Sequence, residues 1–274
     1  MVRSIPSRRA PAGRLDTITT NRIDYDALKA FDPEVYDILS PLWNVERFKE
    51  RVLKEEESST TPVSSCHQEH NSISGVGRHL KDMLSYRVVR RARKVKFSMK
   101  LFTVEKKNGL LRLIQDCRPI NAACHRPPRM PIEPIHDFIR SILDSEFVGT
   151  CDGKSFFYQF GLGDIDEYFG ARVRGARGHY TIVTMKSLPM GFSWAPFFAQ
   201  TFANSFIRGL GKAWVDNFII MAQTSTEYEE KRRTLVQRDQ ALKVELDDYD
   251  IAPQRQFSVL SVLSVLSVLS VLSV

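Results

Sequence analysis

From residue 101 onward, paired apolar runs alternate with helical stretches, and that order restricts the chain to few folds. "LFTVEKKNGLLRLIQD" (101–116) sets two apolar strands around Lys-Lys-Asn-Gly, a hairpin turn signal. "FGARVRGARGHYTIVTM" (169–185) reads as a second hairpin, turning between Gly175 and Gly178. A third strand pair spans 213–222, with "KAWV" and "FIIM" on either side of Asp216 and Asn217. Antiparallel strands with helices between them predict an α+β domain, an antiparallel sheet with helices packed on one face.

The helices have their own periodicity. Ile135, Phe138, Ile139 and Ile142 share one face of a predicted helix over 135–144. Phe198, Phe202, Phe206 and Leu210 recur every four residues in "APFFAQTFANSFIRGL" (195–210), which ends at Gly209 and Gly211. A charged helix over about 226–247 turns Tyr228, Leu235, Leu242 and Leu246 inward. Residues 24–55 also read as helical, with Pro33 and Pro41 as boundaries, and the Ser/Thr-rich stretch 55–75 reads as a linker. The expected organisation is an N-terminal extension over 1–75, a main domain over 76–253 and a tail over 254–274. The tail repeats Ser-Val-Leu, and a period of three gives no consistent apolar face in helix or strand. It reads as a repeat expansion or frame accident, unstructured or irregular.

The chain has 274 residues, 43% apolar, enough for a core and one to two domains. Its net charge of +7 fits a polyanionic partner. "RVVRRARKVKFSMK" (87–100) carries seven basic residues and no acid, and reads equally as a phosphate-lining surface or a solvated face. Cys66, Cys117, Cys124 and Cys151 match no zinc or redox spacing, so reduced thiols are expected. Cys66, His67 and His70 make at most half a metal site. The absence of a secretory core region and of a membrane-length apolar run before residue 257 predicts an intracellular protein, cytoplasmic or nuclear, with no membrane partner.

Two aspartates carry the chemistry. Asp152 ends an apolar run at Gly153, and Asp216 interrupts another at a tight turn. Each alone is an ordinary turn residue. Together, on neighbouring strands, they would suit divalent cations that stabilise the attacking and leaving oxygens of a phosphoryl transfer. Gly191 in "LPMGFSWAP" would let a base or sugar lie close to backbone. Lys106, Lys107 and Arg112 on the first hairpin could hold a triphosphate.

In order, "KKNGLLRLIQDCRPIN", "FVGTCDGKSFFYQFGL", "LPMGFSWAPFFAQ" and "AWVDNFII" resemble the reverse transcriptases of retrotransposons and retroviruses, over about residues 95–253. The resemblance implies a right-hand polymerase with fingers and palm. It implies catalytic carboxylates at Asp152 and Asp216, with Gly153 (through its carbonyl) and Asn217 also at the metals, magnesium or alternatively manganese. Arg112, with Lys106 or Lys107, would bind the triphosphate. Gly191 would lie beneath the incoming nucleotide, and Phe157 would exclude a ribose 2′-hydroxyl. Asp116, Arg118 and Asn121 match structural positions. The implied partners are an RNA template, a DNA or RNA primer and deoxynucleoside triphosphates.

Two departures qualify this. The family's second motif usually has two aspartates, and here the second is Asn217. "DIAPQRQF" runs straight into the repeat, leaving no room for a thumb, so a truncated copy with weak or no polymerisation is expected. A non-catalytic nucleic-acid-binding remnant is the alternative. An RNA-directed RNA polymerase is disfavoured by Phe157. Nothing resembles a ribonuclease H, an integrase or an aspartic protease.

Overall fold

The computed structural model describes residues 13–18, 20, 22–54, 75–175 and 178–247. The linker, with Cys66, His67 and His70, and the Ser-Val-Leu tail lie outside the described residues. In chain order come α1 (Tyr25–Phe31), α2 (Pro33–Leu39), α3 (Val45–Arg51) and α4 (Leu80–Ser85). Strands β1 (Val89–Arg91), β2 (Ser98–Met99), β3 (Leu101–Glu105) and β4 (Leu111–Gln115) follow. Then come α5 (Arg118–Ala123), α6 (Ile135–Leu143), β5 (Phe147–Asp152), β6 (Gly170–Arg174) and β7 (Tyr180–Met185). The last elements are α7 (Ala195–Ile207), β8 (Gly211–Trp214), β9 (Asn217–Ala222) and α8 (Ser225–Leu242).

The chain divides into two compact units, neither continuous in sequence. The first holds residues up to Thr20, Pro41–His125 and Leu162–Ser193. The second holds Asn21–Ser40, Arg126–Gly161 and Trp194 onward. Residues 21–40 of the expected N-terminal extension are therefore built into the second unit.

In the first unit, β3 and β4 form the hairpin expected around Lys-Lys-Asn-Gly, with Gly109 in the left-handed region at φ 76°. The other four strands form a sheet in the order β1-β7-β6-β2. It is antiparallel apart from a short parallel pairing of β2 with β6. Phe48 of α3 is fully buried against Tyr168, Phe169 and Phe192. Aromatic pairs of this kind stabilise through area and edge-to-face geometry.

In the second unit, β5, β9 and β8 form a three-stranded antiparallel sheet, with β9 in the middle. The period-four row of α7 is realised: Phe198, Phe202 and Phe206 are all fully buried. Phe202 and Phe206 stack at 5.8 Å, and Phe206 meets Phe218 of β9 edge-on at 5.2 Å. On the far side of the sheet, Phe138 and Ile142 of α6 pack with Val148, Ile219 and Met221.

Caps explain the helix starts. Asp24, Asp32 and Asn44 each accept a hydrogen bond from the backbone three residues on. Thr224 does the same for α8. That helix is shorter than its apolar spacing predicts. It ends at Leu242 because Lys243 turns left-handed (φ 52°), and both Lys243 and Val244 donate to the Asp239 carbonyl. Leu246 is thereby removed from the helix and pairs with Gly153 instead. Among the described residues no helix is long and apolar enough to cross a membrane.

Candidate active site

The register of the second unit's sheet brings the two aspartates to one end. Asp152 is the last residue of β5 and lies opposite Asn217, the first of β9. Trp214 pairs with Asn217 across β8 and β9, so Val215 and Asp216 form a two-residue turn. The Gly153 N–H donates to the Asp216 carbonyl at 2.6 Å, tying the end of β5 to that turn. Asn217 donates its side-chain amide to Asp216 Oδ1 at 3.1 Å.

The turn is strained and held. Val215 has φ 55°, a conformation that β-branched residues rarely adopt. A positive φ at only the first turn residue is the type II′ pattern, where glycine is usual. Gln200 of α7, 0% exposed, holds it in place. Its Oε1 accepts from the Val215 N–H at 2.7 Å, and its Nε2 donates to the Ala213 carbonyl at 3.0 Å. The amide thus satisfies buried backbone groups on both sides of the strained residue.

A segment after α8 closes the other side of β5. Asp247 donates its N–H to the Asp152 carbonyl at 2.7 Å, and Lys154 donates to the Glu245 carbonyl at 2.9 Å. This pairing leaves the Gly153 carbonyl outside the ladder. Gln159, fully buried, donates to the carbonyls of Lys154 and Glu245 and accepts from the Glu245 N–H. Lys154 and Arg22 both pair with the Glu245 carboxylate, at 2.8 and 3.2 Å. Gly153 cannot carry a side chain here, because a Cβ would lie 2.6 Å from the Phe156 ring. Phe156 is core, edge-on to Phe160 and Phe218. Phe157, its neighbour, stays half-buried.

Asp152 is exposed over part of its surface, yet its carboxyl is held above the ordinary range. Loss of water around it is the main cause, and the charge of Asp247 adds to it. A divalent cation would relieve both. The oxygens available are the carboxylates of Asp152 and Asp216, the Asn217 amide oxygen and the Gly153 carbonyl, a hard donor set suited to magnesium-type ions. Among the described residues no group of three or more His, Cys, Asp or Glu gathers as a metal site, so this set is one carboxylate leaner than a three-acid centre.

The remaining candidates belong to the first unit. Arg112 is exposed on β4 and Lys107 is exposed at the hairpin turn. Lys106 is instead engaged with Asp16, Nζ to Oδ2 at 2.5 Å. Gly191 packs one side against the end of β4, where a Cβ would meet the Gln115 carbonyl at 2.4 Å. Asn121 clamps the same loop, donating to the Gly191 carbonyl at 3.0 Å and accepting from the Ser193 N–H at 2.9 Å. Asp116 holds Arg118 through two side-chain hydrogen bonds.

Gln159, Gln200, Glu245 and Asp247 were not singled out in the sequence. The available signal was a lone amide inside each aromatic run, "SFFYQF" and "FFAQTF". An amide at such a position has to find buried partners.

Comparison with protein-family models and with curated proteins finds no match. Solved structures do match. The foamy viral protease-reverse transcriptase dRH in complex with double-stranded DNA aligns at TM-score 0.57 and 14% identity, over 89% of this chain and 44% of that one. A selenomethionine-labelled mutant of the prototype foamy virus protease-reverse transcriptase aligns at TM-score 0.50 and 14% identity, over 65% of this chain and 26% of that one. The chain thus spans less than half the length of either. At this identity the likeness concerns the fold: α+β, antiparallel-dominated sheets with packed helices, of the kind that forms reverse transcriptase fingers and palm.

Proposed function

We propose that the chain is the fingers-and-palm part of an RNA-directed DNA polymerase of retroelement type. The reaction is attack of a primer 3′-hydroxyl on the α-phosphate of a deoxynucleoside triphosphate, directed by an RNA template, with pyrophosphate leaving. The observation that carries this reading is the juxtaposition at the end of β5: Asp152 opposite Asn217, with Gly153 bonded to the backbone of Asp216.

Asp152, Asp216, the Asn217 oxygen and the Gly153 carbonyl would hold magnesium, with manganese as a substitute. The bound cation supplies charge neutralisation at the phosphate and a more acidic primer hydroxyl. The protein's own part is preorganisation. Gln200 and the Gly153–Asp216 hydrogen bond keep the carboxylate turn rigid before substrate arrives. Arg112 and Lys107, exposed on a hairpin, would meet a triphosphate. Phe157, half-buried, would exclude a ribose 2′-hydroxyl and so favour deoxynucleotides over ribonucleotides.

Asn217 supports a weaker enzyme than a two-aspartate motif would give, because one negative charge at the metals is missing. The competing reading is a nucleic-acid-binding remnant without catalysis. Primer extension on an RNA template with deoxynucleotides and magnesium separates them. Extension by the wild-type chain that Asp152→Asn abolishes supports the polymerase. Template binding without extension, in the wild type and in Asn217→Asp alike, supports the remnant.

A further inference from the structure

The outward face of the first unit's four-stranded sheet carries cations that no described ion pair engages. Arg172 and Arg174 alternate along β6 with buried Ala171 and Val173, so both emerge on the side away from the core. Their cross-strand partners on β7 are Ile182 and Tyr180, which share that face. Tyr180 is 56% exposed, and the Arg172 guanidinium lies over its ring at 5.0 Å.

A strap from the basic segment crosses the same face. Gly170 begins β6, and a Cβ there would lie 2.4 Å from the Val95 side chain. Only glycine lets the strap pass this close. The strap is anchored by the Lys96 N–H on the Glu167 carbonyl at 2.8 Å. Arg93, Lys94 and Lys96 on it are all exposed.

These charges differ from one that the fold does use. Arg90 lies on the same face and is engaged by buried Asp166 through two hydrogen bonds of 2.5 and 2.7 Å. Among the described residues, no ion pair engages Arg93, Lys94, Lys96, Arg172 or Arg174. Asp164 and Glu167 lie on the turn beside Arg90.

We propose that this face is a binding surface for single-stranded nucleic acid. The guanidinium and ammonium groups would meet phosphates, and the Tyr180–Arg172 pair would offer a stacking platform to bases. A protein or lipid partner would need apolar area here, and among the described residues this face offers chiefly one exposed aromatic beside five cations. The proposal is independent of the carboxylates in the other unit, since binding of this kind needs no metal and no nucleotide.

The test is fluorescence anisotropy of the full chain with labelled 12-nucleotide oligouridylate or oligothymidylate, in EDTA and without nucleotides. Arg172→Ala/Arg174→Ala should weaken binding at least tenfold and flatten the log–log salt slope by about 1.4, two phosphate contacts on a single strand. Tyr180→Leu should weaken it by about tenfold through lost stacking. Arg93→Gln/Lys94→Gln, on the strap, gives a second arm if the β6 variant does not fold. Asp152→Asn should bind as the wild type does, so that failed catalysis and a failed binding surface remain distinguishable. Folded β6 and strap variants that bind like the wild type would overturn the proposal. So would equal affinity for a 12-base-pair duplex or for polyglutamate.

Discussion

Asp152 and Asn217 face each other directly across β5 and β9, so the residue that departs from the two-aspartate motif is the cross-strand neighbour of the first carboxylate. Substituting Asn217→Asp puts like charges at opposed positions. In the absence of metal it should destabilise the fold by about 0.5–1 kcal/mol. It should also strengthen binding of divalent cations by on the order of tenfold, through the added ligand charge. Thermal melts across a magnesium titration measure both. Equal melts with and without magnesium in both proteins would show that Asn217 does not border a cation site.

Asp152 has a raised folded-state pKa, caused first by lost solvation and then by Asp247. A raised pKa means that the folded protein holds the proton more tightly than the unfolded chain. Its contribution to stability is therefore full below the unfolded value and is lost as pH rises through the folded one. At neutral pH the ionised group opposes folding. Asp152→Asn should stabilise the chain at pH 7 by about 0.5 kcal/mol, discounted for solvent screening. The gain should vanish near pH 3, where both side chains are neutral. Urea denaturation at the two pH values checks this.

Gln200 should behave as a positioning residue. Gln200→Leu leaves the Val215 N–H and the Ala213 carbonyl without their side-chain partner. Stranding buried polar groups should cost about 3 kcal/mol. Gln200→Glu keeps one acceptor for the Val215 N–H and should cost less. Chemical denaturation of both variants tests the ranking, and equal losses would contradict it.

Tyr228 is completely buried, and among the described residues its hydroxyl has no hydrogen-bond partner. It fits only because residue 149 is glycine, where a Cβ would lie 2.0 Å from that oxygen. Tyr228→Phe removes an unsatisfied group and should stabilise by about 1 kcal/mol. Gly149→Ala alone should destabilise markedly, and combined with Tyr228→Phe much of that loss should return. A double-mutant cycle by thermal melting reads the coupling. Additive effects would contradict the contact.

His79, buried at the start of α4, has its pKa lowered by burial and then by Arg78. Among the described residues its buried Nε2 has no partner. A depressed pKa favours the neutral ring in the folded state, so the stability it supports is present above about 6.5 and lost as pH falls through the folded value. Between pH 7.5 and 5 the wild type should lose more stability than His79→Gln. Parallel denaturation curves at the two pH values test it.

Much of the second unit's sheet was legible because short-range rules suffice. Hairpins announce themselves by period-two apolar runs around turn residues, and α7 by its row of phenylalanines. The end of α8 was not legible. Lys243 adopts a left-handed conformation that glycine usually marks, and its neighbours then pair with residues about ninety positions away. Local signals suit Lys106 to a triphosphate, but its ion pair with Asp16 bridges 90 residues.

The sequence by itself determined which residues are candidates for the chemistry and which elements present them, because residue type, turn signals and helical spacing are local properties. Only tertiary structure decided that Asp152 stands opposite Asn217, that buried Gln200 and Gln159 hold the segments on either side, and that Gly170 lets a basic strap cross a sheet. Those relationships depend on register and close approach between distant segments. A one-residue shift of β5 against β9 would turn the Asp152 side chain to the other face of the sheet.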